Sequence, residues 1–101
     1  MPRKTKTRTR PFDSAEYLKT EEDMAAYLEA ALEEGDPTLI THTLGVIARA
    51  RGMSQLAEET GLTRQALYKA LSSDGNPEFA TVLKVIRALG LRLHPEPASA
   101  A

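Results

Sequence analysis

Apolar residues recur three or four positions apart in the first half of the chain, which is the spacing of one helix face. One such stretch opens at 20–23, Thr-Glu-Glu-Asp, and ends at Gly35. A second opens with the cap-and-proline pair Asp36-Pro37 and ends at Gly52. We therefore predict two helices whose apolar positions are, in chain order, Met24, Tyr27, Leu28, Ala31 and Leu32, then Ile40, Leu44, Ile47 and Ala48.

Residues 53–72, MSQLAEETGLTRQALYKALS, predict two shorter helices joined by a tight turn at Gly61. Ser54 is a candidate cap for the first helix, and Thr63 for the second, since hydroxyl side chains accept from free N–H groups of a first turn. We expect the second helix to run to about Ser72. The spacing of the remaining residues indicates a helix-turn-helix whose crossed helices bury Leu56, Ala57, Thr60, Leu62, Leu67, Ala70 and Leu71.

The positions left outward on the second short helix are polar: Thr63, Arg64, Gln65, Tyr68, Lys69 and Ser72. Arginine can bind guanine, and glutamine adenine, through two hydrogen bonds each. Tyrosine, threonine, serine and lysine can hold phosphates. The pattern therefore predicts a helix that reads the DNA major groove, and the alternative is a helical corner whose polar face is only solvated.

The C-terminal third predicts a loop over 73–77 and a last helix over 77–89, stopped by Gly90. Residues 91–93, Leu-Arg-Leu, alternate and could form a short strand, which would need a partner to be stable. The inward positions of the last helix are predicted to be Phe79, Val82, Leu83, Ile86 and Leu89.

The predicted fold class is all-α, with a possible short C-terminal strand. At 101 residues we expect one folded unit. Its predicted segments are a flexible basic arm (1–11), an N-terminal helical extension (12–36), the helix-turn-helix DNA-binding domain (37–93) and a flexible tail (94–101).

The formal net charge of −1 hides an uneven distribution. Arg3, Lys4, Lys6, Arg8 and Arg10 lie in the first ten positions, whereas the stretch 13–36 holds nine of the fourteen acidic residues. Such a split suggests two different partners, one of them anionic. The arm could be a tail without a role, a DNA-contacting arm or a protein contact. The acidic helix could be scaffold or could dock on a basic protein.

Several functional classes find no support in the residues. Without cysteine there is no disulfide framework or thiolate metal site. His42 and His94 are the only histidines and have no carboxylate cluster beside them, so we expect no metal and no cofactor. No histidine or lysine is placed to activate Ser72 or Ser73, so we expect no enzyme. No apolar run is long enough for a membrane span, and the basic start lacks a secretory apolar stretch, so cytoplasm is the expected location.

Residues 12–93 resemble the HigA-like addiction-module antidote proteins, small antitoxins of the lambda-repressor/Cro-like (XRE) helix-turn-helix class. The resemblance rests on YLKTEEDMAAYLEAALEEGDP, IARARGMSQLAEETGLTRQALYKALS and GNPEFATVLKVIRALGLRL. It implies an all-α five-helix DNA-binding fold and a homodimer on double-stranded operator DNA. It also implies a RelE/HigB-like mRNA-cleaving toxin as partner, and repression of the shared operon.

Carried over residue by residue, the resemblance implies base and backbone contacts from the second short helix, at Thr63, Arg64, Gln65, Tyr68 and Lys69. It implies phosphate contacts from the first, at Ser54 and Gln55. Candidate toxin contacts are Phe12, Tyr17 and the acidic helix with Glu21 and Glu22. The leading hypothesis is thus an antitoxin that also represses its own operon; the alternative is a stand-alone helix-turn-helix regulator with no toxin.

Overall fold

The computed structural model describes residues 18–98, which form five α-helices. The helices are, in chain order, α1 (Glu21–Glu34), α2 (Pro37–Arg51), α3 (Met53–Thr60), α4 (Arg64–Ala70) and α5 (Phe79–Ala88). The all-α prediction is therefore confirmed over this range. The strand considered for 91–93 does not form, because the described part of the chain offers it no second strand to pair with.

The first two helices begin and end where their local sequence predicts. Thr20 caps α1 by accepting a hydrogen bond from the N–H of Asp23 at 3.0 Å. Asp36 caps α2 by accepting from the N–H of Thr38, also at 3.0 Å, and proline follows at the first helical position. Gly35 ends α1 with a φ of 75°, a left-handed conformation that favours glycine. These boundaries are set by short-range chemistry.

All five helices contribute to one apolar cluster, so the acidic helix α1 shares the core of the rest. The predicted inward stripe of α2 is confirmed at Leu44, Ile47 and Ala48, each of which is fully buried. The cluster as a whole consists of Leu18, Met24, Leu28, Leu44, Ile47, Ala48, Met53, Leu56, Ala57, Leu67, Leu71, Val85, Ile86 and Leu89.

Several helix-end predictions are wrong by one or two residues. Ser54 does not cap α3, since the helix already begins at Met53 and no side chain caps it. Gly52, with a φ of 118°, turns the chain directly from α2 into α3, which leaves no place for a separate cap. Helix α4 ends at Ala70 rather than near Ser72, whose hydroxyl instead donates to the carbonyl of Lys69 at 3.0 Å.

Two apolar side chains expected to be inward are exposed instead. Phe79 is the first residue of α5 and is 65% exposed, because this end of the helix extends past the core. Val85, which the prediction omitted, is fully buried six positions further along the helix. Leu32, near the end of α1, is 40% exposed although it follows the helical spacing.

Helix α2 approaches the end of α4 very closely at Gly45. A Cβ atom added to Gly45 would come within 2.7 Å of the backbone oxygen of Leu71, which is closer than carbon and oxygen normally pack. Glycine in the middle of a helix ordinarily costs stability. Here it allows α2 to support the backbone where α4 ends.

Candidate nucleic-acid interface

A tight turn at Gly61 directs α4 away from α3. The φ of Gly61 is 78°, and its N–H donates to the carbonyl of Ala57 at 3.0 Å. The next N–H, of Leu62, donates to the same carbonyl at 3.1 Å. This is the Schellman-type ending, which satisfies helix carbonyls that would otherwise lack partners. The turn predicted from the sequence at Gly61 is confirmed.

Helix α4 is held by its cap and by one buried side chain. Thr63 has extended backbone angles, and its hydroxyl oxygen accepts from the N–H of Ala66 at 3.0 Å, as predicted. Leu67 is fully buried, and Ala70 is half-buried. A helix of seven residues is too short to be stable alone, so the core contact through Leu67 fixes its orientation.

The outward face of α4 brings together the residues predicted to read DNA. At 3.6 residues per turn, Arg64, Gln65, Tyr68 and Lys69 fall within an arc of about 140°, whose centre lies about 130° around the helix from Leu67. All four are exposed, as are the two flanking candidates Thr63 and Ser72. The helix therefore presents a continuous polar face that the described part of the protein leaves uncovered.

Arg64 is partly ordered by its neighbour on the same face. Its guanidinium carbon lies 5.7 Å from the centre of the Tyr68 ring, and its Nη2 atom lies 3.5 Å from the Tyr68 hydroxyl oxygen. Contacts of this kind stabilise an arginine by roughly 0.5–1 kcal/mol at exposed sites. They leave other guanidinium N–H groups available to donate to a ligand.

Ser54 and Gln55, the predicted phosphate contacts on α3, are both exposed near the start of that helix. The side-chain amide of Gln55 donates to Glu59 at 3.3 Å, and Glu59 in turn lies 3.8 Å from Arg51 at the end of α2. Sequence reasoning missed this chain of three side chains. The i, i+4 spacing of Gln55 and Glu59 was the available signal, whereas the contact from Arg51 depends on how α2 meets α3.

The charge of this surface is balanced. Glu58 and Glu59 on α3 offset Arg64 and Lys69 on α4, so the two helices together carry no formal net charge. Glu59 lies beside Arg51 and Gln55. The cations on the arc thus act locally rather than through a broad basic field.

The candidate toxin contacts fall into two groups. Glu21 and Glu22 are exposed in the first turn of α1, and Phe12 and Tyr17 lie outside the described residues. A groove also runs between α1 and residues 90–96, with Leu32 and Leu93 exposed along it. Sequence reasoning did not identify this groove, because it forms between segments far apart in the chain.

Across residues 18–98, no group of three or more histidine, aspartate or glutamate side chains is placed to hold a metal ion. None of the five helices is long and apolar enough to cross a membrane.

These features define a small all-α protein in which a short, capped helix presents a polar face from a shared core. The family model described as "Probable addiction module antidote protein" matches residues 8–97, and the chain belongs to that family. A protein of Haemophilus influenzae (strain ATCC 51907 / DSM 11121 / KW20 / Rd), described as "Uncharacterized protein", is 54% identical over 81 residues. The match covers 80% of this chain and 84% of that relative. No solved structure matches the chain.

Proposed function

We propose that this protein is a HigA-like antitoxin that neutralises a RelE/HigB-like, mRNA-cleaving toxin and represses its own operon as a homodimer. Membership in the antidote family supports the toxin half of the proposal. The main support for the DNA half is that Arg64, Gln65, Tyr68 and Lys69 are all exposed on α4, while Leu67 on the same helix is fully buried. Both activities belong in the cytoplasm, where the operator and the transcripts are.

In this proposal α3 and α4 act as a helix-turn-helix of the lambda-repressor type within a DNA-binding domain over 37–93. Arg64 and Gln65, in the first turn of α4, would reach base edges in the major groove. The other candidates on α3 and α4 would bind the phosphates that flank this groove through hydroxyl, ammonium or amide groups. They are Ser54, Gln55, Thr63, Tyr68, Lys69 and Ser72.

A dimer would place two copies of α4 in successive major grooves, about 34–36 Å apart, on a palindromic operator. Since α3 and α4 together carry no formal net charge, attraction to the phosphates would depend on local cations such as Lys69. The basic residues at positions 3–10 would add a second, independent electrostatic contact. Removal of residues 2–10 should then reduce the salt dependence of operator binding.

The test is fluorescence anisotropy with duplex DNA from the region upstream of the gene, at several salt concentrations. Gln65→Ala should cost roughly 1–3 kcal/mol on the operator and relax the preference at one base pair. Lys69→Ala should weaken binding to all sequences and lower the salt slope by about one. Lys84→Ala, on the exposed side of α5, is the matched control and should change neither quantity. Operator affinity unchanged in both α4 variants would mean that α4 does not bind the DNA.

The stand-alone regulator remains the second candidate, because the arc of α4 supports it equally well. Co-expression with the neighbouring reading frame separates the two. A co-purifying partner whose toxicity is suppressed supports the antitoxin, and operator binding without any such partner supports the regulator.

A further inference from the structure

The groove between α1 and the C-terminal segment has an apolar floor. Its volume is about 700 Å³. Leu28 and Leu32 line it from α1, and Leu91 and Leu93 line it from the segment that follows α5. Leu28 is buried, but Leu32 is 40% and Leu93 is 38% exposed. A groove with an apolar floor can receive the apolar side chains of an amphipathic helix from another protein.

The helix beside the groove is strongly acidic. Helix α1, EEDMAAYLEAALEE, contains no lysine or arginine. Glu29 lines the groove from α1, and the other side carries Arg92, His94 and Glu96. The acidic residues of α1 are all exposed, and they are Glu21, Glu22, Asp23, Glu29, Glu33 and Glu34. The apolar floor and the acidic α1 side together suit a segment with an apolar ridge that carries lysine or arginine on the edge facing α1.

Two occupants from this chain itself fit the groove less well. A second copy bound groove to groove would bring one acidic α1 against another, which is unfavourable. The basic residues at positions 3–10 could meet the acidic α1 side, but between Pro2 and Pro11 there is no large apolar side chain to fill the floor. The complementary occupant is therefore a different, basic protein.

We propose that this groove is where the toxin docks, through a basic amphipathic segment that inserts apolar side chains between Leu32 and Leu93. The inference rests on the antitoxin function proposed above and assigns that function a surface. Helix α1 packs on α2, whereas α4 packs on α3. Toxin and DNA would therefore use different parts of the protein and could be bound together.

The test measures affinity for the protein encoded by the neighbouring reading frame, in its catalytically inactive form, by calorimetry. Leu32→Glu and Leu93→Glu should each weaken the complex about 30-fold or more, since each puts a charge into the apolar floor. Leu39→Glu is the matched control, because Leu39 is 36% exposed on α2 outside the groove, and it should bind like the wild type. Unchanged operator affinity and an unchanged thermal melt establish that each variant is folded.

A charge reversal provides a second variant that does not touch the floor. Glu29→Lys should weaken the complex about tenfold at low salt and less at high salt, whereas Glu58→Lys on α3 should not.

The outcomes separate the two proposals. If the wild-type chain forms no complex, the antitoxin function itself fails. If the wild type binds and the groove variants bind equally well, only the assigned surface is wrong. Toxin binding that survives Leu32→Glu while light scattering shows dimers becoming monomers would mean that a second copy fills the groove, which overturns the proposal.

Discussion

Replacing Gly45 with alanine tests whether α2 supports α4, the helix proposed to bind DNA, through direct backbone contact. Two effects oppose each other. Alanine is favoured over glycine in a helix interior by about 1 kcal/mol. The added Cβ, however, would lie 2.7 Å from the backbone oxygen of Leu71, where about 3.3 Å is the usual approach.

The clash should outweigh the gain in helix propensity. The contacted atom belongs to the backbone at the end of α4, so it cannot rotate away as a long side chain would. Overpacking of a core typically costs 1–3 kcal/mol. Subtracting the gain of about 1 kcal/mol leaves a net loss of roughly 0–2 kcal/mol for Gly45→Ala. At the middle of this range, a loss of about 1 kcal/mol, the melting temperature should fall by about 4–8 °C for a chain of this size.

Thermal and urea unfolding followed by circular dichroism measure this loss, and operator affinity measures displacement of α4. Ala26→Gly, in an exposed position of α1, is the companion variant that reports the helix-propensity effect alone. If Gly45→Ala is more stable than the wild type by the amount that Ala26→Gly loses, the close approach of α2 to Leu71 is refuted.

Further substitutions check the cap and the ends of the core. Thr63→Ala should lower stability by about 1 kcal/mol and weaken operator binding, because it removes the hydroxyl that caps α4; a variant with wild-type melting would show that the cap contributes nothing. Phe79→Ser should change stability by less than about 0.5 kcal/mol, since Phe79 is 65% exposed. Leu89→Ala should cost about 2–5 kcal/mol, since Leu89 is fully buried. Equal melting temperatures of Phe79→Ser and Leu89→Ala would contradict the exposure of Phe79 and the burial of Leu89 at the two ends of α5.

Much of the helical layout could be predicted because it depends on chemistry within a few residues. The caps at Thr20, Asp36 and Thr63 each accept from an N–H two or three positions away. The left-handed glycine at Gly61 marks a helix end in the same local way. The outward arc of α4 followed from helical periodicity alone once its inward residues were identified.

The features that sequence reasoning missed depend on how distant segments meet. Phe79 has the right spacing for the core stripe of α5, but spacing does not reveal that α5 begins beyond the core. Gly45 looks like an ordinary weak helix residue until the end of α4 is placed against it. Leu32 and Leu93 are far apart in sequence, and only the packing of α1 near the C-terminal segment brings both to one groove.

Few contacts hold α4 in place, so the residues that face outward from this helix are separate from those that keep it folded. Since one fully buried leucine and one threonine cap hold its seven residues, the four arc positions can change with little effect on the core. Under the proposed function, new operator preferences could therefore be acquired by substitutions confined to one side of two helical turns. Such a protein would change the DNA sites it binds while its core stayed the same.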